Sequence, residues 1–448
     1  MNIQFLAKTY VENLQGSVAH LLARVPFSLR FYPDYARTQN LIAQVGAMDS
    51  SEINRWNFNK LKELVEHAYA VNQFYRVFYD RHGYHPNRLK SLAHFQDIPS
   101  VNKKDFMAFS LEERSSPAPG CMRINTGGTS GEPLEFYVDK RAFAQEWAHM
   151  HHIWGRYGYD YRHLKLTLRG KNLGDQLVKY NAVHNEYIVN TYADKQSVTE
   201  QLARLDRFAD IRWLHGYPSV IAEFCMWLAD HRPDVLTVLK SGLRGALLGS
   251  EFPAPHYRNA ITKTLGVPII SWYGHSEMCI LAYENAVNEY VPFPTYGYCE
   301  AIPMETGIEH LVGTSLWNTV SPFIRYDTGD GIKADTEQGL VKRFNILDGR
   351  VGEFVVDRNG GKIGLTALIF GRHHAGFEQA RHIQVRQSEP GKMELLIVPR
   401  DPQLPIAKLQ DGFDFSNVNI DVKFRMIDEP IRTSSGKISL LVSYKARH

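Results

Sequence analysis

The stretch INTGGTSGEPLEF, Ile124 to Phe136, sets three glycines and several hydroxyl and amide side chains ahead of a β-like run, Leu134 to Val138. Such a turn can aim backbone N–H groups and the hydroxyls of Thr126, Thr129 and Ser130 at one anion, because Gly127, Gly128 and Gly131 permit close approach. Phosphate is the natural candidate. The turn is not a Walker A loop, since no Lys-Ser/Thr pair ends it and no helix pattern follows at once. Taken alone, a tight hairpin turn explains the same residues.

Four further clusters point the same way. YGHSE, Tyr273 to Glu277, holds an aromatic ring, a glycine, a hydroxyl and a carboxylate, which suits base stacking, phosphate contact and Mg²⁺ ligation together. SPFIRYDTGD, Ser321 to Asp330, ends in an aspartate after a Thr-Gly turn, where a carboxylate can accept hydrogen bonds from ribose hydroxyls. LDGR, Leu347 to Arg350, offers an arginine at a domain junction. RTSSGKIS, Arg432 to Ser439, carries Lys437 on a glycine turn, and a mobile lysine can neutralise charge developing between a carboxylate and an α-phosphate. Each has a plain alternative: Asp330 in a solvated turn, Arg350 in a surface salt bridge, Lys437 as one exposed lysine among many. Their number and order carry the functional reading. Glu146 with His149, His151 and His152 also invites a zinc reading, but although Glu146 and His149 share a helix face no other ligand is assured, which favours a partly exposed helix.

The elements that position these residues alternate along the middle of the chain. Leu164 to Leu168 and Leu243 to Leu248 read as buried strands, His256 to Leu265 as a helix ended by Gly266, and Val267 to Tyr273 as another buried strand. Such a β-α-β crossover makes its strands parallel, so GSE (Gly249, Ser250, Glu251) and YGHSE should emerge on one sheet edge, where ligands of open parallel sheets bind. The first hundred or so residues read as helical, with Leu61, Leu64, Val65 and Ala68 at i, i+3, i+4 and i+7 in a helix from Trp56 to Tyr79 that ends at His82 and Gly83. Beyond Val291 short alternating strands with glycine turns, Glu309 to Leu316 and Gly339 to Phe344, predict an antiparallel or barrel-like subdomain. After Asp348-Gly349-Arg350 the strands Val351 to Val356, His382 to Gln387 and Met393 to Val398 predict a small α+β domain. The expected class is α/β. Residues 1–348 would form a large domain of parallel sheets flanked by helices (helical 1–100, sheets 101–290, barrel-like β subdomain 291–348), and 349–448 a small, mobile lid.

The totals bound the function. A chain of 448 residues, 44% hydrophobic and 22% charged, can bury more than one core. Lys and Arg number 51 against 48 Asp and Glu, a balance of +3 that gives no nucleic-acid-sized basic field. The four cysteines, Cys121, Cys225, Cys279 and Cys299, form no CxxC pair; together with the missing signal peptide and the lack of a long apolar run they place the expectation in the cytoplasm. Cys279 and Cys299 read as buried thiols. Phe5 to Tyr32 mixes apolar residues with Lys8, Arg24 and Arg30, and reads as a helix packed on the body of the protein or, with less basic charge than that role asks, as a peripheral membrane contact.

In their order, the five motifs resemble the adenylate-forming superfamily of acyl-CoA ligases and related enzymes. The glycine-rich loop is similar to its phosphate loop, YGHSE to its Tyr-Gly-x-Thr/Ser-Glu motif, TGD to its ribose-binding Thr-Gly-Asp, Arg350 to the hinge arginine and Lys437 to the catalytic lysine. With HGYPS (His215 to Ser219), the compact length and the helical start, the chain resembles most the phenylacetate-CoA ligase branch and the CapK-like proteins, over residues from about 56 to 440. Two departures stand out: Glu132 where many members carry Lys in the phosphate loop, and Glu353 where Asp is common after the Gly-Arg pair.

The resemblance implies attack of a small carboxylic acid on the α-phosphorus of Mg·ATP, giving an acyl-adenylate, followed by transfer to CoA or to an amine or hydroxyl acceptor, with a link to surface polysaccharide synthesis. Thr126, Gly127, Gly128, Thr129, Ser130 and Gly131 would hold phosphates, Glu277 Mg²⁺, and Tyr273 the adenine beside Gly249, Ser250 and Glu251. Gly274 and Ser276 would border the nucleotide, Asp330 and Arg350 would take the ribose, and Lys437 would complete the site on closure. Trp213, His215, Tyr217 and His275 are candidates for the acid's pocket. The competing class is a non-catalytic nucleotide-binding or scaffolding protein; the presence of Lys437, Glu277 and Asp330 argues against it.

Overall fold

The computed structural model describes residues 16–442 apart from 31–33, 127–133, 172, 251, 252, 254, 304–308, 338, 349–353, 366, 367, 370–375, 377, 378, 400, 429, 430 and 432–440. The helical start is present as α1 (Ser50–Val71) and α2 (Gln73–Arg81). The expected single helix from Trp56 to Tyr79 is broken at Asn72, whose backbone turns extended (φ −110°, ψ 118°) and whose side chain accepts from the Tyr75 N–H, restarting the helix. Asp49 and Glu52 form a capping box at the start of α1. Leu61, Leu64, Val65 and Ala68 are buried as the spacing predicts, and they pack with Phe74, Tyr75 and Phe78 against the antiparallel strands.

A hairpin of β1 (Met122–Asn125) and β2 (Glu135–Val138) leads into α3 (Lys140–Gly155). Then come β3 (Leu164–Lys171), β4 (Val178–Asn181), β5 (Glu186–Asn190), β6 (Ile211–Gly216), α4 (Pro218–His231), β7 (Gly245–Leu248), α5 (Pro255–Leu265) and β8 (Ile269–Gly274). The antiparallel run is β9 (Leu281–Ala286), β10 (Glu289–Pro292), β11 (Gly297–Pro303), β12 (Glu309–Ser315), β13 (Tyr326–Glu337) and β14 (Leu340–Asp348). These strands make one sheet of twelve in the order β11-β12-β13-β14-β10-β9-β8-β7-β6-β3-β5-β4.

The β-α-β unit read from the sequence is β7-α5-β8, and β7 pairs β8 in parallel. β8 changes partner along its length. Ile269 to Ser271 run parallel to β7, whereas Trp272 to Gly274 pair antiparallel with β9, so the two halves of the sheet share one strand. Helices cover both faces of the parallel half. Met150, Ile153 and Trp154 of α3 pack on Trp213, Leu247 and Ile270, while Ile221 of α4 and Ile261 of α5 pack on Leu214, Ala246 and Leu248. Adjacent strand residues thus serve opposite cores, the period-2 signature of a strand buried on both sides. The antiparallel half curls, bringing β11 back against β14.

Further along the chain, β15 (Phe354–Val356) pairs β16 (Lys362–Gly364), and β17 (Ala380–Glu389), β18 (Lys392–Pro399), β19 (Asp421–Met426) and β20 (Leu441–Val442) form a four-stranded sheet in the order β19-β18-β17-β20. Its core, with Leu365, Ile383, Val385, Leu395, Ile397 and Leu409, is drawn from Val355 onward. Of the segment Phe5 to Tyr32, the described part turns Phe27 and Arg30 inward, Arg30 donating to the Val25 and Val183 carbonyls. Among the described residues no helix is long and apolar enough to cross a membrane.

One close approach seats the loop that follows β8. A Cβ on Gly297 would stand 1.7 Å from the Cys279 carbonyl oxygen, so only glycine lets β11 start so near that backbone. Gly297→Ala should lower stability by about 1–3 kcal/mol or more through overpacking. A urea midpoint equal to wild type at unchanged m would contradict this close contact.

Candidate active site at the strand ends

β3, β6, β7 and β8 align Leu168, Gly216, Leu248 and Ser271 in one row, where β6 and β7 end while β3 and β8 run three residues further. Gly249 follows β7 so closely over the Trp272 indole that a Cβ would lie 2.1 Å from its Cζ2. Ser250 comes next with φ +69° and accepts from Arg169 Nη2 at the end of β3, 3.1 Å. GSE and YGHSE therefore share the C-terminal edge, as the crossover argument requires; Glu251 lies outside the described residues.

The curl of the sheet then brings YGHSE onto the TGD strand. Tyr273 Oη donates to Asp330 Oδ2 at 2.6 Å, although β8 and β13 are separated in the sheet by β9, β10 and β14. The Tyr273 ring rests edge-on against Phe344 of β14, 5.4 Å between centroids, which fixes its reach. Two residues before Asp330, the Thr328 hydroxyl accepts from the Asp330 N–H (3.2 Å) and donates to the Leu311 carbonyl (2.8 Å), so the turn is held from both sides. Gly274 and Ser276 are exposed beside them.

Two described neighbours hold Glu277. Tyr326 Oη donates to its Oε1 and His275 Nδ1–H to its Oε2, both at 3.1 Å. Among the described residues no group of three or more His, Cys, Asp or Glu side chains could cage a metal ion. One oriented carboxylate fits a cation that arrives with its own phosphate ligands, which is the usual habit of Mg²⁺.

Residues that the sequence reading passed over supply the frame. Arg325 takes φ +50° and pairs through both terminal and Nε groups with Glu300, buried on both sides, while donating to the Gln96 carbonyl at 2.8 Å. Its neighbour Tyr326 is thereby aimed at Glu277. Among the described residues five non-glycine residues have positive φ, and three of them, Ser250, Met278 and Arg325, flank this site. The polar character of Arg325 inside SPFIRYDTGD, between apolar residues, was the available signal.

The glycine-rich loop is only partly described. Thr126 is buried at its base, where its N–H donates to the Leu134 carbonyl and its hydroxyl accepts from the Leu134 N–H. Gly127, Gly128, Thr129, Ser130 and Gly131 lie outside the described residues, as do Glu132, Arg350, Glu353 and Lys437. The hairpin itself is fastened beside the TGD strand, since the Tyr137 N–H donates to Ser321 Oγ and Asn318 Nδ2 donates to the Tyr137 carbonyl, both at 2.9 Å.

The four pocket candidates divide. His275 borders the edge, and Tyr217 caps α4 just beyond β6. His215 is buried under the edge between Trp154 and Trp272, where burial holds its pKa well below the ordinary value. Trp213 is fully buried in the core, and its Nε1–H donates to His163, which precedes β3 at the opposite end of the sheet. The strand ends do not receive it.

Two of the three histidines of α3, His149 and His151, are buried and engaged internally, while His152 is exposed. His149 Nδ1–H donates to the Gln145 carbonyl and its Nε2 accepts from Thr295, each at 2.8 Å; His151 Nδ1 meets Tyr35 Oη at 2.8 Å. Burial pushes His149 down to about 3 and His151 well below its ordinary value. The unfolded chain then binds protons that the native state excludes, so stability falls as pH drops from about 6.5 towards 3. His149→Gln should flatten that fall by up to about 1.4 kcal/mol per pH unit. Denaturant titrations at pH values across this window, with an unchanged slope in the variant, would rule out a neutral buried His149.

No protein-family profile matches the chain. It is 21% identical over 316 residues to protein CapK of Staphylococcus aureus, covering 67% of this chain and 69% of CapK. It is similar in structure to 2-hydroxyisobutyryl-CoA ligase in complex with 2-HIB-AMP and CoA in the thioesterification state, with a TM-score of 0.55 at 16% identity over 88% of this chain and 90% of that one. The same ligase in the postadenylation state with R3-HIB-AMP gives a TM-score of 0.54 at 15% identity over the same shares. The chain has the fold of the adenylate-forming ligases, with a CapK-like sequence.

Proposed function

We propose that this protein is an ATP-dependent ligase that activates a carboxylic acid as its acyl-adenylate and then transfers the acyl group, with CoA as the first acceptor to test. The observation that carries the reading is the Tyr273–Asp330 hydrogen bond, which joins two sequence motifs read separately as base-stacking and ribose-binding. The carboxylate oxygen attacks the α-phosphorus of ATP, and the bond to the bridging oxygen breaks as pyrophosphate leaves with the electron pair. The acceptor then attacks the acyl carbon, loses its proton and expels AMP. A thiol, an amine or a hydroxyl satisfies that balance. The finer reading, a phenylacetate-CoA ligase-like or CapK-like enzyme acting in surface polysaccharide synthesis, rests on the motif resemblance, and the 21% identity to CapK supports its CapK-like part.

In this reading Tyr273 covers the adenine beside Gly249, Ser250, Glu251, Gly274 and Ser276, and its hydroxyl orients Asp330 towards the ribose. Thr126 closes the base of the loop whose residues Gly127 to Gly131 grip the phosphates. Glu277 would hold Mg²⁺, which supplies neutralising charge to the phosphates when bound. Residues 1–348 form the adenylation core and 349–448 the lid, with Arg350 at the hinge and Lys437 delivered to the reacting carboxylate. His215, Tyr217 and His275 border the acid.

Asp330→Ala removes hydrogen bonds to a charged acceptor and should weaken ATP binding by about 1.5–3 kcal/mol. Unchanged affinity by calorimetry on the folded variant would exclude the ribose role. Lys437→Ala should leave ATP affinity close to wild type and slow ATP–pyrophosphate exchange by about 10²–10³. Exchange at the wild-type rate would exclude Lys437 from adenylation.

A further inference from the structure

On α3 the residues Glu146, Met150, Ile153 and Trp154 follow one another at helical spacing along the face turned to the sheet. Met150, Ile153 and Trp154 are buried apolar residues of the core beneath the strand ends. Glu146 continues that stripe by one turn, so a carboxylate stands where the pattern asks for a hydrophobic side chain. The chain arranges only half of what that carboxylate can accept. Tyr296 Oη donates to Oε2, while Oε1 takes no hydrogen bond from any described residue.

The surroundings of Glu146 belong to the site edge. Burial pushes the Glu146 pKa up, and the Tyr296 hydrogen bond, with His275 just after β8 and Arg169 at the end of β3 acting on it electrostatically, opposes that push. Among the described residues neither His275 nor Arg169 forms an ion pair with it. Arg169 instead donates to Ser250, and the buried His275 Nε2 has no hydrogen-bond partner. An accepting oxygen of Glu146 and an unpartnered ring nitrogen of His275 therefore remain beside the ends of β3 and β8. Aromatic rings of Trp154, Trp272 and His215 underlie this region.

Resting on the adenylation reading above, we propose that Glu146 determines which acid is activated: the substrate carries a hydroxyl or ammonium donor that Glu146 accepts. A hydrocarbon acid of the same size would leave the partly buried carboxylate without its partner. Sites built to bond a substrate donor reject the analogue lacking it far more strongly than apolar pockets reject a missing methylene.

The test is ATP–pyrophosphate exchange by the full chain on matched acids: propionate, lactate and alanine; phenylacetate, mandelate and phenylglycine; and phenylacetate with ring hydroxy and aminomethyl substituents. Wild type should favour the donor-bearing member of at least one set by about 10²-fold in kcat/KM. Glu146→Ala should bring that ratio near one while calorimetric ATP affinity stays at the wild-type value, a change of preference that a merely structural role would not produce. Glu146→Gln separates the two donors, keeping preference for a hydroxyl and losing it for an ammonium. Hydrocarbon acids used as well as their donor-bearing matches in every set by wild type, or a preference unchanged in Glu146→Ala, overturn the proposal. The wild-type panel decides alone if the alanine variant does not fold. Exchange without preference sinks this proposal only, whereas ATP binding without exchange on any acid sinks the adenylation reading with it.

Discussion

The site hangs on a buried ion pair. Arg325 and Glu300 meet inside the protein, and the same guanidinium ties down the backbone at Gln96, so the helical start, β11 and the entry to β13 are held by one side chain. Burial pushes the Glu300 pKa up and Arg325 opposes it. Either charge left alone would be uncompensated in the interior, at a cost of about 3–5 kcal/mol. Such a pair adds little net stability over an apolar replacement, but it admits few geometries. Here it holds Arg325 at positive φ, and that turn directs Tyr326 to Glu277 and starts the strand that ends its turn at Asp330.

From this anchor the polar contacts run across the curled half-sheet and not along it. Tyr273 and Asp330 are strangers in the hydrogen-bond ladder and partners through side chains. Because the Tyr273 ring leans on Phe344 and its hydroxyl on Asp330, a ligand that displaced the ring would also disturb the aspartate. In the proposed enzyme, base and ribose recognition would therefore be mechanically coupled. Lys165 shows what the opposite end of the same core does with charge. Burial lowers its pKa to about 8, and Tyr159 Oη and the His184 carbonyl accept hydrogen bonds from its ammonium group.

Local signals made much of this legible. The crossover of β7, α5 and β8 and the shared edge of GSE and YGHSE follow from apolar runs, a glycine stop and the handedness of parallel connections. The burial of Leu61, Leu64, Val65 and Ala68 follows from spacing alone. The sequence could not show that Asn72 would restart the helix, since an asparagine caps or continues depending on what packs after it. Period 2 gives the face of Trp213 but not its height, and the indole points to His163 because Gly245 leaves room against it. Glu146 was visible beside three histidines, yet its proximity to Tyr296 and Arg169 depends on contacts between distant parts of the chain. The residues that matter most to the proposed chemistry, from Gly127 to Gly131 and at Lys437, are the ones read by motif and not by packing.

The double pairing of β8 also bears on how such a chain can vary. An ordinary strand can accept or lose a residue by slipping against a single neighbour and bulging. β8 is registered at once against a parallel partner at Ile269 to Ser271 and an antiparallel one at Trp272 to Gly274, within a few residues of each other. A length change there would turn every later side chain to the other face, removing Tyr273 from Asp330 and Trp272 from beneath Gly249. Relatives should therefore tolerate insertions around β4 and β5 at the far edge, while the spacing between the two ladders of β8 stays fixed even where its residues drift.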